Sequence, residues 1–221
     1  MASKRVAVVL AGCGNRDGSE ITEAVSTLIA LSEAGADYRV FAPNTQFEVL
    51  DFLHSPPTHT GETCSVLQES ARIARGTIED IQKLKVSDFD ALAFPGGTGV
   101  AKNLCTWFAK GAQCSVNPDV ERTIQEFYKE EKPIAAICIA PALIARVLGK
   151  NGVTVTVGAK SEASAEIEKT GALHEVCAVD DFVTDRHHRI ITSPAYMYGE
   201  AKPHQVFNGI RGAIRELVEM A

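Results

Sequence analysis

Short apolar runs rich in β-branched residues alternate along this chain with longer segments of helical period, and no other feature restricts its fold as much. Residues 5–11 read as a buried strand. After a polar loop, Ile21, Ala24, Val25, Leu28 and Leu31 recur at the spacing of one helix face, and Gly35 stops that helix. A second strand is predicted over 38–42, ended by Pro43. Residues 44–63, with Pro56-Pro57 and two histidines, read as a long loop before a helix over 64–75. Residues 91–94 and 133–137 are continuous apolar strands, and Asn117-Pro118 has the cap-then-proline order of a helix start. A helix is expected over 140–148. Further strands are expected at 153–157, 182–184 and 189–192, the last two as a hairpin around 185–188, and a closing helix over 204–220.

Strands alternating with helices build a mainly parallel sheet covered on both faces, so the expected class is α/β, a three-layer α/β/α sandwich. The 221 residues read as a single domain, 1–221, with 45% of them apolar. A net charge of −6 with no Lys/Arg run argues against a nucleic-acid or anionic-membrane surface. No apolar stretch reaches the roughly 18 residues of a membrane span. The apolar block after Lys4-Arg5 is shorter than a signal-peptide core, so it reads as a strand and not as a leader. Cys13, Cys64, Cys105, Cys114, Cys138 and Cys177 are spread out, with no C-x-x-C and no Cys/His cluster. That spacing speaks against a zinc site and for reduced thiols in a cytosol-like, cytoplasmic compartment.

Sites in such sheets form beyond the carboxyl ends of strands, and three of those ends carry chemistry. In Ala136-Ile137-Cys138-Ile139-Ala140, small residues two positions either side of Cys138 suit the tight strand-to-helix turn of a nucleophile elbow. A helix N-terminus there would favour thiolate, whereas a buried cysteine packing as a small hydrophobe fits the pattern equally well. Pro95-Gly96-Gly97 reads either as an ordinary turn or as backbone N–H groups free to form an oxyanion hole. Asp17-x-x-Glu20 has capping-box spacing. Gly12-x-Gly14-x-x-x-Gly18 only approaches a dinucleotide fingerprint, and the second strand ends without the acidic residue that would hold a ribose. No cofactor and no metal are expected.

Ala11–Gly14, Asp17-Gly-Ser-Glu20, Ala71-Arg-Ile-Ala-Arg-Gly76, Pro95-Gly-Gly-Thr-Gly99 with Ala101-Lys-Asn-Leu104, Cys138-Ile-Ala-Pro141 and Thr192-Ser-Pro-Ala-Tyr196 run in order over nearly the whole length. With them the chain resembles the ThiJ/PfpI superfamily of the class I glutamine amidotransferase-like, flavodoxin-like fold. Within it, the chain is most similar to the ElbB-type enhancing lycopene biosynthesis proteins, described as isoprenoid-biosynthesis accessories and as glyoxalases. The resemblance implies that Cys138 is the elbow nucleophile, that Glu20 lies against its sulfur, and that Gly97 and Ile139 supply oxyanion N–H groups. It further implies substrate contacts from Gly96, Asn103 and Tyr196, and a homodimer. A carboxyl beside a thiolate does not stay ionised comfortably, so one proton is shared between the two.

The departures narrow the chemistry. Ile139 follows the cysteine where many superfamily members carry His, and the downstream His-x-Glu of glutaminases is missing, His174-Glu175 having the wrong spacing. Glutaminase and protease activity are therefore not expected. Cys64-Ser65 stands where ElbB-like proteins tend to have Arg-Asn. His187-His188 falls in the predicted hairpin turn, while His54, His59 and His204 have no motif support; Cys13, Cys105, Cys114 and Cys177 read as structural. Two functions remain: a slow glyoxalase acting on small carbonyls through a Cys138 hemithioacetal with Glu20 as proton shuttle, or a redox sensor using oxidation of Cys138. Mitochondrial residence is the alternative for a eukaryotic source.

Overall fold

Val6, Val8 and Leu10 face one layer of helices and Ala7, Val9 and Ala11 the other, and all six are fully buried. Two-sided burial is why this run shows no polar alternation. The computed structural model describes residues 3–221. Its strands are β1 (Arg5–Val9), β2 (Asp37–Ala42), β3 (Gln46–Asp51), β4 (Thr58–Ser65), β5 (Glu79–Asp80), β6 (Ala91–Phe94), β7 (Ile134–Ile137), β8 (Thr154–Val155), β9 (Leu173–His174), β10 (Val183–Asp185) and β11 (Ile190–Ser193). The α-helices are α1 (Ile21–Glu33), α2 (Val66–Ile73), α3 (Trp107–Lys110), α4 (Pro118–Lys129), α5 (Ala140–Leu148), α6 (Glu162–Glu168) and α7 (Pro203–Met220).

Seven strands form the central sheet in the order β10-β11-β7-β6-β1-β2-β5, parallel except for the β10–β11 hairpin. Helices α1 and α7 cover the Val6 face through Ala24, Leu31, Ile210 and Ile214, and α4 and α5 cover the other through Ile124, Phe127, Leu143 and Ile144. Each fully buried Leu or Ile of this kind stabilises the fold by roughly 2 kcal/mol. Asn117 starts α4 as expected, its Oδ1 accepting the Asp119 and Val120 N–H groups at 3.0 and 3.3 Å. The chain is thus an α/β sandwich with a mainly parallel sheet.

Three local expectations fail. Residues 44–63 are not a loop: β3 and β4 make an antiparallel hairpin off the main sheet. Seven of the eight β4 residues keep some exposure, so it carries no apolar period to read. The inward face of α1 is also rotated. Glu23, Ala24, Thr27, Ala30 and Leu31 are buried, while Ile21, Val25 and Ile29 are 40–49% exposed. Small side chains at Ala24, Thr27 and Ala30 let α1 lie close to its neighbours, so the larger residues turn outward. Finally, residues 153–157 contribute only β8, paired with β9 in a separate two-stranded unit.

Candidate active site

The chain leaves β1 for β2 on one side and comes back to β6 on the other, which makes the β1/β6 boundary the switch point of the sheet. With β7 next to β6, three strand ends meet there and deliver α1, the Gly96-Gly97 turn and Cys138. Cys138 stands between β7 and α5 at φ +61°, a left-handed conformation few non-glycine residues adopt. Its N–H donates to Ser193 O at 2.9 Å. The backbone N–H groups of Gly97 and Ile139 point at its sulfur. Gly97 has φ +104°, and a Cβ there would lie 2.3 Å from Glu20 N, so only glycine fits.

The carboxyl against the sulfur is Glu23, not Glu20. Glu23 is fully buried in the first turn of α1. Its Oε1 accepts the Tyr196 N–H at 3.1 Å, while Oε2 faces the Cys138 thiol with no partner of ordinary hydrogen-bond geometry. Glu20 sits one turn earlier as the N-cap of α1, its Oε2 accepting the Glu23 N–H at 2.7 Å. A side chain committed to that cap lines the cavity wall instead of reaching the sulfur. Asp17 is therefore not the cap of a capping box; its Oδ2 accepts the Leu50 N–H at 3.0 Å. Gly96 lies beneath the nucleophile, where a Cβ would come 2.4 Å from Cys138 Cβ and 2.5 Å from Glu23 Oε2. It is a spacer that lets the two acidic groups meet, not a wall of the cavity.

Burial, then the neighbouring Glu20 charge, pushes the Glu23 carboxyl from its ordinary 4.5 up to about 8. Burial and the Glu23 carboxyl also push the Cys138 thiol up, outweighing the Gly97 and Ile139 N–H groups that favour thiolate. The expected lowering of the thiol is thus overcome by desolvation. The two groups titrate as one pair: it holds both protons at neutral pH, and when the first leaves, the other is shared between sulfur and carboxyl. Burial raises Glu20 as well, against the pull of the Glu23 N–H.

Cys138 opens into a cavity of about 910 Å³ lined by Glu20, Gly97, Ile139 and Tyr196. Its far wall is Trp107, Phe108 and Lys110, residues for which the sequence offered no signal. Asn103, expected to touch substrate, is absent from that lining; its amide ties β1 to the following loop through Ala11 O at 2.8 Å and Asp17 O at 2.7 Å. The Gly12–Gly18 loop turns its N–H groups inward, Gly14 N to Ser19 O, Gly18 N to Gly14 O and Gly12 N to Ser70 Oγ. The three glycine N–H groups that a dinucleotide loop would turn outward are thereby spent within the protein. No histidine lines the cavity among the described residues. His174 Nε2 accepts the Val157 N–H, His188 Nδ1 meets Tyr128 OH beside the His187 ring, and His54 and His59 pair with Asp51 and Glu48 on the β3–β4 hairpin.

An elbow cysteine, two converging N–H groups and a buried carboxyl on this sandwich define a class of cysteine-centred α/β proteins. The chain belongs to the DJ-1/PfpI family, whose family model matches residues 4–199. Among curated proteins it is 43% identical over 226 residues to the human glutamine amidotransferase-like class 1 domain-containing protein 3, mitochondrial, covering 98% of this chain and 83% of that one. It is 41% identical to the ES1 protein homolog, mitochondrial, of Rattus norvegicus, covering 98% and 84%. Among solved structures, an isoprenoid biosynthesis protein with an amidotransferase-like domain from Ehrlichia chaffeensis superposes with a TM-score of 0.91 at 38% identity, over 99% of both chains. Drosophila melanogaster DJ-1beta, at 18% identity and TM-score 0.54 over 99% and 95% of the chains, shares the fold.

Proposed function

We propose that this protein is a cofactor-independent cysteine enzyme of the glutathione-independent glyoxalase type, a lyase converting small α-oxoaldehydes such as methylglyoxal and glyoxal to 2-hydroxy acids. The observation that carries this reading is Cys138 at φ +61°, with two N–H groups on its sulfur and Glu23 behind it, open to a cavity. The sulfur adds to the aldehyde carbon, the C=O electron pair moves to oxygen, and Glu23 keeps the proton of the singly protonated pair. The Gly97 and Ile139 N–H groups lie where they can hold that oxyanion. Glu20, on the cavity side, moves the C1 proton to C2 through an enediol, giving a Cys138 thioester. Water then releases the 2-hydroxy acid and returns the thiol.

The name of the Ehrlichia protein supports an accessory place in isoprenoid synthesis, and the names of the human and rat proteins favour the mitochondrion over the cytosol. We also infer a homodimer, closed over the exposed α1 face of Ile21, Val25 and Ile29. The deciding assay is methylglyoxal and glyoxal consumption without glutathione by wild type and Cys138→Ser. Turnover that depends on Cys138 supports the reading. A turnover-free wild type whose Cys138 is readily oxidised by peroxide overturns it in favour of the redox sensor.

A further inference from the structure

Cys105 and Cys114 flank the segment that walls the cavity, and the backbone brings them together. Cys105 stands opposite Val116 in an antiparallel bridge, extended by Thr106 N to Ser115 O at 2.9 Å, Ser115 N to Thr106 Oγ1 at 2.9 Å and Asn117 N to Leu104 O at 2.9 Å. In such a pair, the residue two before Val116 projects from the same side as Cys105. Cys105 Sγ donates to Val100 O at 3.4 Å and lies in side-chain contact with the Cys114 thiol. Arg146 reaches over from α5, its Nε donating to Cys114 O at 2.7 Å. Both thiols are free and buried within one core cluster.

We propose that Cys105 and Cys114 are an oxidisable dithiol, a second redox site separate from Cys138, with hydrogen peroxide as its oxidant. The two cysteines are unlike in the way such chemistry needs. The Cys105 thiol and then the Arg146 guanidinium hold the Cys114 thiol down at about 7, while the same contact and burial push Cys105 up. With the Arg146 guanidinium held against Cys114 and not against Cys105, Cys114 is the attacking thiolate and Cys105 the resolving thiol. The Cys114 sulfur takes one peroxide oxygen; the O–O bond breaks, and the hydroxide released is protonated to water. Cys105 sulfur then displaces hydroxide from the sulfenic acid, forming S–S as S–O breaks, and its proton completes the second water. Two thiols lose two electrons and one peroxide becomes two waters. Cys105 and Cys114 are only 5% and 1% exposed, so the oxidant reaches them through local opening of this ladder. The disulfide closes residues 105–114 into a ring that carries Trp107, Phe108 and Lys110 of the cavity wall.

Lys110 lies between the two cysteines, so trypsin separates them into peptides 103–110 and 111–122. Full-length Cys138→Ser protein is treated with hydrogen peroxide, blocked with iodoacetamide, digested and analysed by mass spectrometry. The expected product is the two peptides joined, two hydrogens lighter than their sum and separated again by reductant. Cys105→Ser should leave a Cys114 sulfenic acid that dimedone traps, and Arg146→Gln should slow linking several-fold at neutral pH. Recovery of the two peptides singly alkylated, or of Cys114 oxidised to sulfinate without a link, in protein whose circular dichroism is native overturns the pairing. Since Cys138 is absent throughout, the result is independent of carbonyl turnover.

Discussion

The backbone N–H of Tyr196 donates to Oε1 of Glu23 at 3.1 Å across 173 residues of sequence, and so turns Oε2 of the same carboxyl toward the Cys138 thiol. One hydrogen bond from the end of the chain thereby sets the orientation of a carboxyl at its beginning. It also separates two acidic residues that look interchangeable in sequence: Glu20 caps a helix and faces the cavity, Glu23 faces the nucleophile.

That separation predicts different losses. Glu23→Gln removes the group that takes the thiol proton, and carbonyl turnover should fall by about 10²-fold or more. Glu20→Gln keeps an oxygen able to accept the Glu23 N–H, so helix and thiol should survive while the proton transfer between carbons slows. Parallel measurement of kcat and of the Cys138 alkylation rate distinguishes the two. Loss of turnover in neither variant would remove both carboxyls from the mechanism.

The Glu23–Cys138 pair also makes stability depend on pH. In the unfolded chain a glutamate releases its proton near 4.5, while the folded pair holds it up to about 8. The native state therefore binds the extra proton in that window, and stability falls as pH rises through it, by up to about 1.4 kcal/mol per pH unit for one proton. Urea midpoints for wild type should decline over this range. Those for Glu23→Gln should be flatter.

Gly96→Ala places a methyl 2.4 Å from Cys138 Cβ and 2.7 Å from Ile137 O. Backbone and a β-carbon cannot swing aside like a flexible side chain, so the variant should lose about 2 kcal/mol and displace the nucleophile. Thermal unfolding reports the first effect. A Cys138 alkylation rate unchanged from wild type would contradict the second.

Ile29 is 46% exposed on the outward face of α1. Ile29→Glu should cost the isolated subunit less than about 0.5 kcal/mol, because surface substitutions rarely cost more. If the homodimer closes over this face, the same change should halve the mass seen by light scattering. A wild-type protein that runs as a monomer would dispose of the dimer.

What could be read from the sequence follows from what is local. The Cys138 turn is written in its own neighbours, small Ala136 and Ala140 between an apolar strand and a helix, and Asn117-Pro118 marks the start of α4 without any tertiary help. The buried strands announce themselves because both faces are covered. Glu23 was not legible: nothing within a helical turn says that a glutamate is buried, because its partners come from Tyr196 and from the Cys138 turn. A signal existed in its register with Ala24, Thr27 and Leu31, but the larger Ile21 and Val25 drew the expected face away from it. The β3–β4 hairpin escaped for the opposite reason, its second strand being held by backbone pairing and turned largely to water.

Cys138 takes its backbone acceptor from Ser193 at the end of β11, and Glu23 takes its orienting donor from Tyr196 just beyond. During synthesis the nucleophile and its carboxyl therefore leave the ribosome long before the residues that arrange them. Until the last parallel strand docks, the nascent chain carries an ordinary cysteine at position 138; the finished sheet is what buries it, lifts its thiol and couples it to Glu23. A product terminated before β11 would label as a free, solvated thiol, which makes the protection of Cys138 from a general thiol probe a record of completed folding.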